Sequence, residues 1–139
     1  MEEYQWDGSL ATGHALIDEQ HQQLFAAING LLATCRAGKG KEELSKSLDF
    51  LTNYTIKHFF EEEQIQQKYQ YPEYPNHKQY HDGFKTTIRD LTVRLIMKGA
   101  SDELITEVHE KVGDWLVSHI KVHDFRLAKF IKEKDAAAG

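Results

Sequence analysis

Apolar side chains recur at steps of three and four residues along four separate stretches of the chain. The first repeat runs from Ile17 to Cys35, and the second is a strict seven-residue repeat that begins at Leu44 and ends at Tyr69. Such spacing is typical of amphipathic helices that face neighbouring helices along their whole length. Glycines at 38, 40 and 99 and prolines at 72 and 75 interrupt the repeats. The sequence therefore predicts helices at about 18–36, 41–69, 76–98 and 102–133, after an N-terminal arm at 1–17.

Long helices joined by short loops favour an all-α fold in which consecutive helices run in opposite directions. Proline is scarce, with two residues, and glycine is ordinary, with nine, so short strands are disfavoured. A chain of 139 residues is long enough to bury roughly 68–70% of its unfolded surface. We predict one domain over 1–139, an up-down-up-down four-helix bundle, and we expect Trp6 of the arm to pack on it.

Charge, hydropathy and cysteine content narrow the classes of function. A formal net charge of −5 and a pI near 5.9 provide no basic surface for nucleic acid. No apolar run approaches the roughly 20 residues that span a bilayer, and the acidic start of the chain does not resemble a signal peptide. We therefore expect a cytoplasmic protein that binds no membrane. The single cysteine, Cys35, excludes an intramolecular disulfide and is expected to be a buried thiol. The sequence does not identify a protein partner.

Metal-type donors interrupt the apolar stripes of all four predicted helices. They comprise five imidazoles and two carboxylates: His21, His58, Glu62, His77, His81, His119 and Asp124. Side chains four residues apart lie nearly one above the other on a helix, so pairs such as His77 and His81 aim two donors at one point. Because consecutive helices alternate in direction, all these side chains are expected at the same end of the bundle.

A single histidine on an apolar face is more often a hydrogen-bonded core residue than a metal ligand. Together the donors need a common explanation, because an unsatisfied buried polar group costs roughly 1–3 kcal/mol and an unpaired carboxylate costs more. Five imidazoles and two carboxylates are too many for one tetrahedral zinc ion, but they suit two octahedral first-row ions with bridging carboxylates. The sequence therefore predicts a metal site with two ions.

The segments around these donors closely resemble the hemerythrin family, specifically its single-domain bacterial form, bacteriohemerythrin. The resemblance rests on DEQHQQLF around His21, HFFEE from His58, HKQYH from His77 to His81 and WLVSHIKVHD up to Asp124. It extends from about Trp6 to Ile131. It implies two iron ions with an oxo or hydroxo bridge. By this resemblance His77, His81 and His119 bind one iron, His21 and His58 bind the other, and Glu62 and Asp124 bridge the two.

The resemblance also implies reversible binding of dioxygen for storage, delivery or sensing, and not enzymatic catalysis. The iron with two imidazoles is left one donor short, so it keeps an open position for dioxygen. Reversibility needs a dry pocket. Five apolar residues flank the donors at a suitable spacing: Phe25, Phe59, Trp115, Leu116 and Ile120. Simple core packing is an equally compatible role for them.

Two other classes of function compete with dioxygen binding. The first is a di-iron enzyme of the oxidase or peroxidase type. Ferritin-like bundles of that kind use Glu-x-x-His pairs and mostly carboxylate donors, whereas this chain has His-x-x-x-Glu and mostly imidazole. The second is an interaction module that responds to nitric oxide or to metal, in which the acidic surface contacts a partner.

Helix spacing and family resemblance disagree about the last donor. On a regular helix His123 aligns with His119, whereas Asp124 lies about 100° further round. A π-bulge, which is common at functional sites, would bring Asp124 into line instead. We therefore expect a π-bulge here, with Asp124 facing the site. His14 and His109 are expected to contact solvent or to make local hydrogen bonds.

Overall fold

The computed structural model describes residues 3–138, so positions 1, 2 and 139 of the predicted arm and domain lie outside the described part. The first three helices, α1, α2 and α3, span Ala15–Arg36, Lys41–Lys68 and Tyr74–Lys98, and α4 spans 102–138. α1 and α3 each pack against α2 and α4. Residues 3–138 contain no strand and no helix with the length and apolar character needed to cross a membrane. The predicted all-α, up-down-up-down four-helix bundle is confirmed.

α1 and α3 begin three and two residues earlier than the apolar repeat predicts. His14 precedes α1, and its Nδ1 accepts a hydrogen bond from the backbone N–H of Ile17 at 3.3 Å. This bond satisfies one of the free donors of the first turn and confirms the local role expected of His14. Pro75 lies in the first turn of α3, where its missing N–H removes no helical hydrogen bond. Hydrophobic periodicity does not detect a first turn that is defined by a capping residue or a proline, because it depends only on the apolar residues of the buried face.

Six buried residues of α4 follow one another at a constant step of four, and Gly113 and His119 are buried beside them: Leu104, Val108, Val112, Leu116, Ile120 and Asp124. On a regular α-helix this face would drift by about 40° per step and by about 200° from first to last. α4 avoids the drift through two π-helical segments, His109–Asp114 and Ile120–Asp124. They alternate with the α-helical segments Asp102–Val108, Trp115–His119 and Phe125–Ala138. Each π turn takes up one extra residue, so the face stays on the core. The π-bulge expected before Asp124 is confirmed.

Two apolar clusters lie at different levels of the bundle. The larger one gathers inner residues of all four helices, including Leu24 and the buried thiol Cys35. The smaller one comprises Ile17, Tyr71, Leu127 and Ile131. Along α1, His21 lies between Ile17 and Leu24. Along α4, Asp124 lies between the larger cluster, which ends at Ile120, and Leu127. The predicted donors therefore occupy a level between two apolar layers.

The N-terminal arm packs against the first π turn of α4. Trp6 packs on the larger cluster, as predicted. The hydroxyl oxygen of Tyr4 lies 2.7 Å from both the carbonyl oxygen of His109 and a carboxylate oxygen of Asp114. The Tyr4 ring also passes so close to Gly113 that a Cβ at that position would lie 2.1 Å from ring atom Cζ. A larger residue at position 113 would therefore force the Tyr4 ring away from α4.

Replacing Gly113 with Ala should destabilise the protein, because the new methyl group must displace the Tyr4 ring. Overpacking of this kind costs about 1–3 kcal/mol, and the expected result is a lower melting temperature measured by circular dichroism. Gly83→Ala is the matched control: Gly83 is also helical, and nothing lies within 4 Å of an added Cβ. Alanine is the better helix former by about 1 kcal/mol, so Gly83→Ala should be neutral or stabilising. Equal melting shifts in the two variants would contradict the docking role of Gly113.

Candidate metal centre

The structure brings all the predicted donors into one buried cluster. α1 contributes His21, α2 contributes His58 and Glu62, α3 contributes His77 and His81, and α4 contributes His119 and Asp124. None of these residues is more than 3% exposed. Each helix directs donors inward because the donors replace apolar residues on its buried stripe.

The carboxylate of Glu62 divides the imidazoles into two groups. Its Oε1 atom lies 2.9 Å from Nε2 of His77 and 3.2 Å from Nε2 of His81. Its Oε2 atom lies 3.3 Å from Nε2 of His58 and 4.0 Å from Nε2 of His21. One oxygen therefore faces the imidazoles of α3, and the other faces those of α1 and α2.

Asp124 makes the same division. Its Oδ1 atom lies 2.9 Å from Nε2 of His77 and 3.2 Å from Nε2 of His119, whereas its Oδ2 atom lies 2.9 Å from Nε2 of His21. The cluster consequently has a three-imidazole group, made by His77, His81 and His119, and a two-imidazole group, made by His21 and His58. Each carboxylate presents one oxygen to each group, which is the arrangement of a bridging ligand between two cations.

The hydrogen-bonding state of these atoms supports a fit to metal ions. Although the atoms are close, both oxygens of Glu62 and of Asp124 lack a hydrogen-bond partner of acceptable geometry in the described part of the chain. The same is true of Nε2 of His21, His58 and His81. Leaving so many buried polar atoms unsatisfied is costly, and two carboxylates in an apolar interior require positive charge. The donor set fits two first-row cations.

Two further polar residues orient imidazoles from outside the cluster. Nδ1 of His58 lies 2.6 Å from Oε1 of Gln20, whose amide nitrogen in turn donates to Glu61. Nδ1 of His81 lies 2.9 Å from Oε2 of Glu63. An acceptor at Nδ1 fixes the ring proton there and leaves the Nε2 lone pair directed into the cluster. Both acceptors are themselves buried, at 5% for Gln20 and 9% for Glu63.

Gln20 and Glu63 were not among the residues predicted from the sequence. Both lie beside a donor in the chain, next to His21 and Glu62, but off the apolar stripe that predicts the donors. Their polar character next to a donor is the one signal available in the sequence. Gln20 and Glu63 also make the two imidazole groups unequal. In the three-imidazole group a carboxylate contacts Nδ1 of His81, whereas in the two-imidazole group a neutral amide contacts Nδ1 of His58.

Burial and mutual proximity perturb the acid–base behaviour of the cluster. Burial and repulsion from Asp124 raise the pKa of Glu62, but the close imidazole nitrogens of His58, His77 and His81 outweigh both and hold the pKa well below its usual range. Burial lowers the pKa of His77, but the carboxylates of Asp124 and Glu62 close to its Nε2 more than reverse this and raise the pKa to about 9. Burial is the main reason that the pKa of His58 is lowered. Without metal, protons on imidazoles therefore balance the carboxylates.

Two of the residues predicted to line a dioxygen pocket, Phe59 and Trp115, contact imidazoles of the cluster. The Phe59 ring stacks on His81 with 3.8 Å between ring centroids, and the partly buried Trp115 stacks on His119 at 4.5 Å. Phe25, Leu116 and Ile120 are buried in the larger apolar cluster. Phe59 and Trp115 thus pack on rings of the three-imidazole group.

His123 and Asp124 separate as the π turn requires. Asp124 is fully buried among the donors. His123 is partly exposed, and its ring stacks on Tyr80 with centroids 4.2 Å apart. The neighbour that regular helix spacing would place at the site therefore lies outside the cluster.

Fold and cluster together define a class: an up-and-down four-helix bundle whose interior holds an imidazole-rich, carboxylate-bridged candidate centre for two cations. Comparison with known proteins identifies the family. The model of the hemerythrin HHE cation-binding domain matches residues 12–131. The chain therefore belongs to the hemerythrin family.

Individual relatives match most of the chain. Myohemerythrin of Sipunculus nudus is 32% identical over 123 residues, which is 88% of this chain and 89% of the relative. Bacteriohemerythrin of Methylococcus capsulatus is 33% identical over 109 residues, 78% of this chain and 81% of the relative. A crystal structure of a leucine-to-tyrosine variant of hemerythrin superposes with a TM-score of 0.81 at 29% identity, covering 93% of this chain and 97% of that one.

Proposed function

We propose that this protein binds dioxygen reversibly at a non-haem di-iron centre, for storage, delivery or sensing. The observation that carries the proposal is the division of the buried donors into three and two imidazoles around two shared carboxylates. His77, His81 and His119 would hold one iron, and His21 and His58 the other. Glu62 and Asp124, with an oxo or hydroxo group, would bridge the pair. Membership in the hemerythrin family supports the same assignment.

The unequal groups account for a binding position. With the bridging carboxylates shared equally, an iron held by His21 and His58 would have one protein donor fewer than its neighbour, which would leave one position for a small molecule. When bound, the two ferrous ions supply the electrons on which dioxygen binding draws. The chain contributes oriented imidazoles, through Gln20 and Glu63, and apolar layers on both sides of the donors. Exclusion of water and protons favours release of dioxygen over irreversible oxidation.

The donor chemistry favours binding over catalysis. Neutral imidazoles stabilise the reduced metal pair, whereas anionic oxygen donors stabilise oxidised states and promote oxidation chemistry. Here imidazoles outnumber carboxylates by five to two in the cluster. We therefore propose a carrier, buffer or sensor of dioxygen and not an oxidase.

The proposal is tested by visible absorption of protein loaded with Fe(II) without air. A band should appear on exposure to dioxygen, disappear when dioxygen is removed, and return over repeated cycles. Metal analysis should give two irons per chain, and zinc-loaded protein should show no band. One iron per chain, or steady consumption of dioxygen with an added reductant, would overturn the proposal.

Replacing Leu116 or Ile120 with Ser should shorten the time over which the protein keeps its capacity to bind dioxygen. Both side chains are almost completely buried and lie within four residues of a proposed ligand, so a hydroxyl there admits water. We expect loss of the dioxygen-dependent band about tenfold faster, which corresponds to about 1.4 kcal/mol in barrier height, with unchanged iron content. Leu95→Ser is the control, since Leu95 is equally buried but lies near the opposite end of the bundle. An unchanged decay rate in both site variants would place the dioxygen pocket elsewhere.

A further inference from the structure

The outer side of α2 and α3 carries a concentration of exposed apolar side chains. Ile56 and Phe60 of α2 are 49% and 60% exposed, and Val93 and Met97 of α3 are 52% and 76% exposed. The two members of each pair are four residues apart, so they lie nearly one above the other on their helix. These are four of the eight exposed large apolar side chains in residues 3–138. Apolar side chains that are gathered on one face mark an interaction surface, whereas scattered ones do not.

The groove between α2 and α3 runs along the middle of this surface. Ile56 of α2 and Val93 of α3 line the groove, and three charged residues line it with them: Asp49, Lys85 and Arg89. We refer to the surface made by these five residues together with Phe60 and Met97 as the α2–α3 face.

Contacts between the two antiparallel helices fix the level of each residue along the α2–α3 face. A carboxylate oxygen of Glu62 lies 3.2 Å from Nε2 of His81, and the ring centroids of Phe59 and Phe84 are 5.7 Å apart. One step forward along α3 therefore corresponds to one step backward along α2. Counted away from the metal cluster, the residues of the face follow in this order: Phe60, Lys85, Ile56, Arg89, Val93, Asp49 and Met97.

The charges of the α2–α3 face are separated along its length. Lys85 and Arg89 lie in the half nearer to the metal cluster, and Asp49 lies in the other half. Asp49 and Arg89 are exposed and make no ion pair in the described part of the chain. Lys85 Nζ lies 3.5 Å from Asp82, whose carboxylate is closer to Lys78, at 2.9 Å. One half of the face is therefore positively charged, and the other half is negatively charged.

This separation of charge makes the α2–α3 face complementary to itself. A twofold axis that lies in the contact plane and crosses the helices near Asn53 would place a second copy on the face with its helices reversed. Asp49 of each copy would then lie at the level of Lys85 and Arg89 of the other copy, where opposite charges attract. Because the contact is twofold, this pairing occurs twice.

The same register brings the apolar side chains of the two copies together. Ile56 of each copy would lie at the level of Val93 of the other, and Phe60 at the level of Met97 of the other. Removing these side chains from water favours association. A surface that binds an unrelated protein has no reason to match its own reversed copy. The match of both the charges and the apolar pairs in one register therefore favours a second copy of this chain.

The α2–α3 face is large enough for a specific contact. In this register α2 overlaps with α2 of the other copy over about 24 residues, which is about 35 Å at 1.5 Å per residue, and two adjacent helices are about 20 Å wide. The contact would therefore cover about 700 Å² of each copy, close to the roughly 800 Å² per partner of a standard protein–protein interface.

We propose that two copies of this chain form a twofold-symmetric dimer through the α2–α3 face. The face contains none of the proposed iron ligands, and the reversed arrangement places the two metal clusters at opposite ends of the dimer. Formation of the dimer is therefore independent of the proposed binding of dioxygen.

Sedimentation equilibrium of the iron-loaded protein tests the proposal. The mass should rise with concentration from that of a monomer to that of a dimer, with a Kd below about 100 μM, as expected for an exposed interface of this size. A mass that stays at the monomer value up to about five times that concentration would leave the face to another partner and would overturn the proposal.

Substitution of apolar residues locates the contact. Ile56→Ser and Phe60→Ser should each weaken the dimer at least about tenfold. Phe50→Ser is the matched control, because Phe50 is 54% exposed on the same helix but lines the groove between α1 and α2. All three side chains are exposed, so the melting temperature of dilute protein and its iron content should be unchanged. Dimerisation that is unchanged in both site variants, or equally weakened by Phe50→Ser, would place the contact elsewhere.

Reversal of charge tests the register of the dimer. Asp49→Arg and Arg89→Asp should each weaken self-association about tenfold, because like charges then meet across the interface. A mixture of the two variants should form a mixed dimer that is tighter than either variant makes alone, because the introduced arginine of one meets the introduced aspartate of the other. Arg36→Asp, at the end of α1, is the control and should not change association. A mixture that associates no better than the separate variants would overturn the reversed arrangement.

Discussion

Replacing Asp124 with Ala should abolish tight binding of iron, whereas replacing His123 with Ala should leave two irons per chain. Asp124 is fully buried and presents one oxygen to each imidazole group. Removing it deletes a proposed ligand of both ions and half of the buried negative charge that balances them. Changes outside the ligand set already reduce metal affinity by about 10–100-fold, so loss of a shared ligand should exceed that. Metal analysis after desalting, together with the visible spectrum, measures the effect.

His123→Ala is the matched control for the Asp124 substitution. The two residues are neighbours on the same π turn, but His123 is not one of the clustered donors. Its ring stacks on Tyr80, and its centroid lies 6.0 Å from that of His77 and 5.3 Å from that of His119. Asp124→Asn refines the result, because it keeps the size of the side chain and removes its charge. Retention of both irons in Asp124→Ala, or their loss in His123→Ala, would show that α4 presents the other neighbour to the metals.

The metal-free protein should lose stability as the pH rises from about 6.5 to about 9. Burial lowers the pKa of His77, but Asp124 and Glu62 outweigh burial and raise it from 6.5 to about 9 in the folded state. A raised pKa means that the proton stabilises the fold: this contribution is complete below pH 6.5 and is lost as the pH rises through 9. Its size is about 3 kcal/mol.

The carboxylates set the acid limit of the same protein. The pKa values of Glu62 and Asp124 are held well below their usual 4.5 and 3.8. The ionised carboxylates therefore stabilise the fold fully above their usual pKa values, and this stabilisation is lost as the pH falls through their lowered pKa values. Metal-free protein should be most stable between about pH 4.5 and 6.5.

Bound metal should reverse the alkaline trend. Cations bind deprotonated imidazoles, so their contribution grows as protons leave, and metal at about 1,000 times its Kd stabilises the fold by about 4 kcal/mol. Denaturant unfolding of chelator-treated and metal-loaded protein, between about pH 5.5 and 9, measures both slopes. His77→Gln should flatten the slope of the metal-free protein. A flat slope in unmodified metal-free protein, or equal stability with and without metal, would show that the cluster is solvated.

Helix number, helix direction and the set of buried donors could be predicted from the sequence, because each rests on what lies on a buried stripe. His58 and Glu62, for example, fall on the same repeat as Leu44 and Leu51. The contacts of Gln20 and Glu63 could not be predicted in this way, since they depend on how two helices meet off that stripe. The same holds for Tyr4, whose contact with Gly113 joins residues more than 100 positions apart.

The first π turn of α4 has a signal that hydrophobic periodicity alone overlooks. A real α-helical face mixes steps of three and four, and α2 does so throughout. The buried apolar residues of α4 instead follow steps of four from Leu104 to Ile120, Asp124 continues the series, and His119 is buried beside it. An unbroken series of four-residue steps predicts local unwinding of the helix. A periodicity criterion that accepts steps of three or four equally does not distinguish this series from a regular α-helix. The spacing of the buried residues therefore contains a signal for both π turns of α4. Only the second π turn, before Asp124, was predicted, and that prediction used the family resemblance as well as the spacing.

The π turns also change what α4 can tolerate over evolutionary time. In an ordinary helix the loss or gain of one residue rotates everything beyond it by about 100°, so length variation is confined to loops. The π turn at Ile120–Asp124 contains one residue more than a regular α-helical turn. A chain one residue shorter in this turn would form a regular α-helix that still directs the aspartate, Leu127 and Ile131 inward. A single-residue gap inside the last helix of an aligned relative is therefore compatible with an intact metal centre, whereas a gap inside α1, α2 or α3 is not.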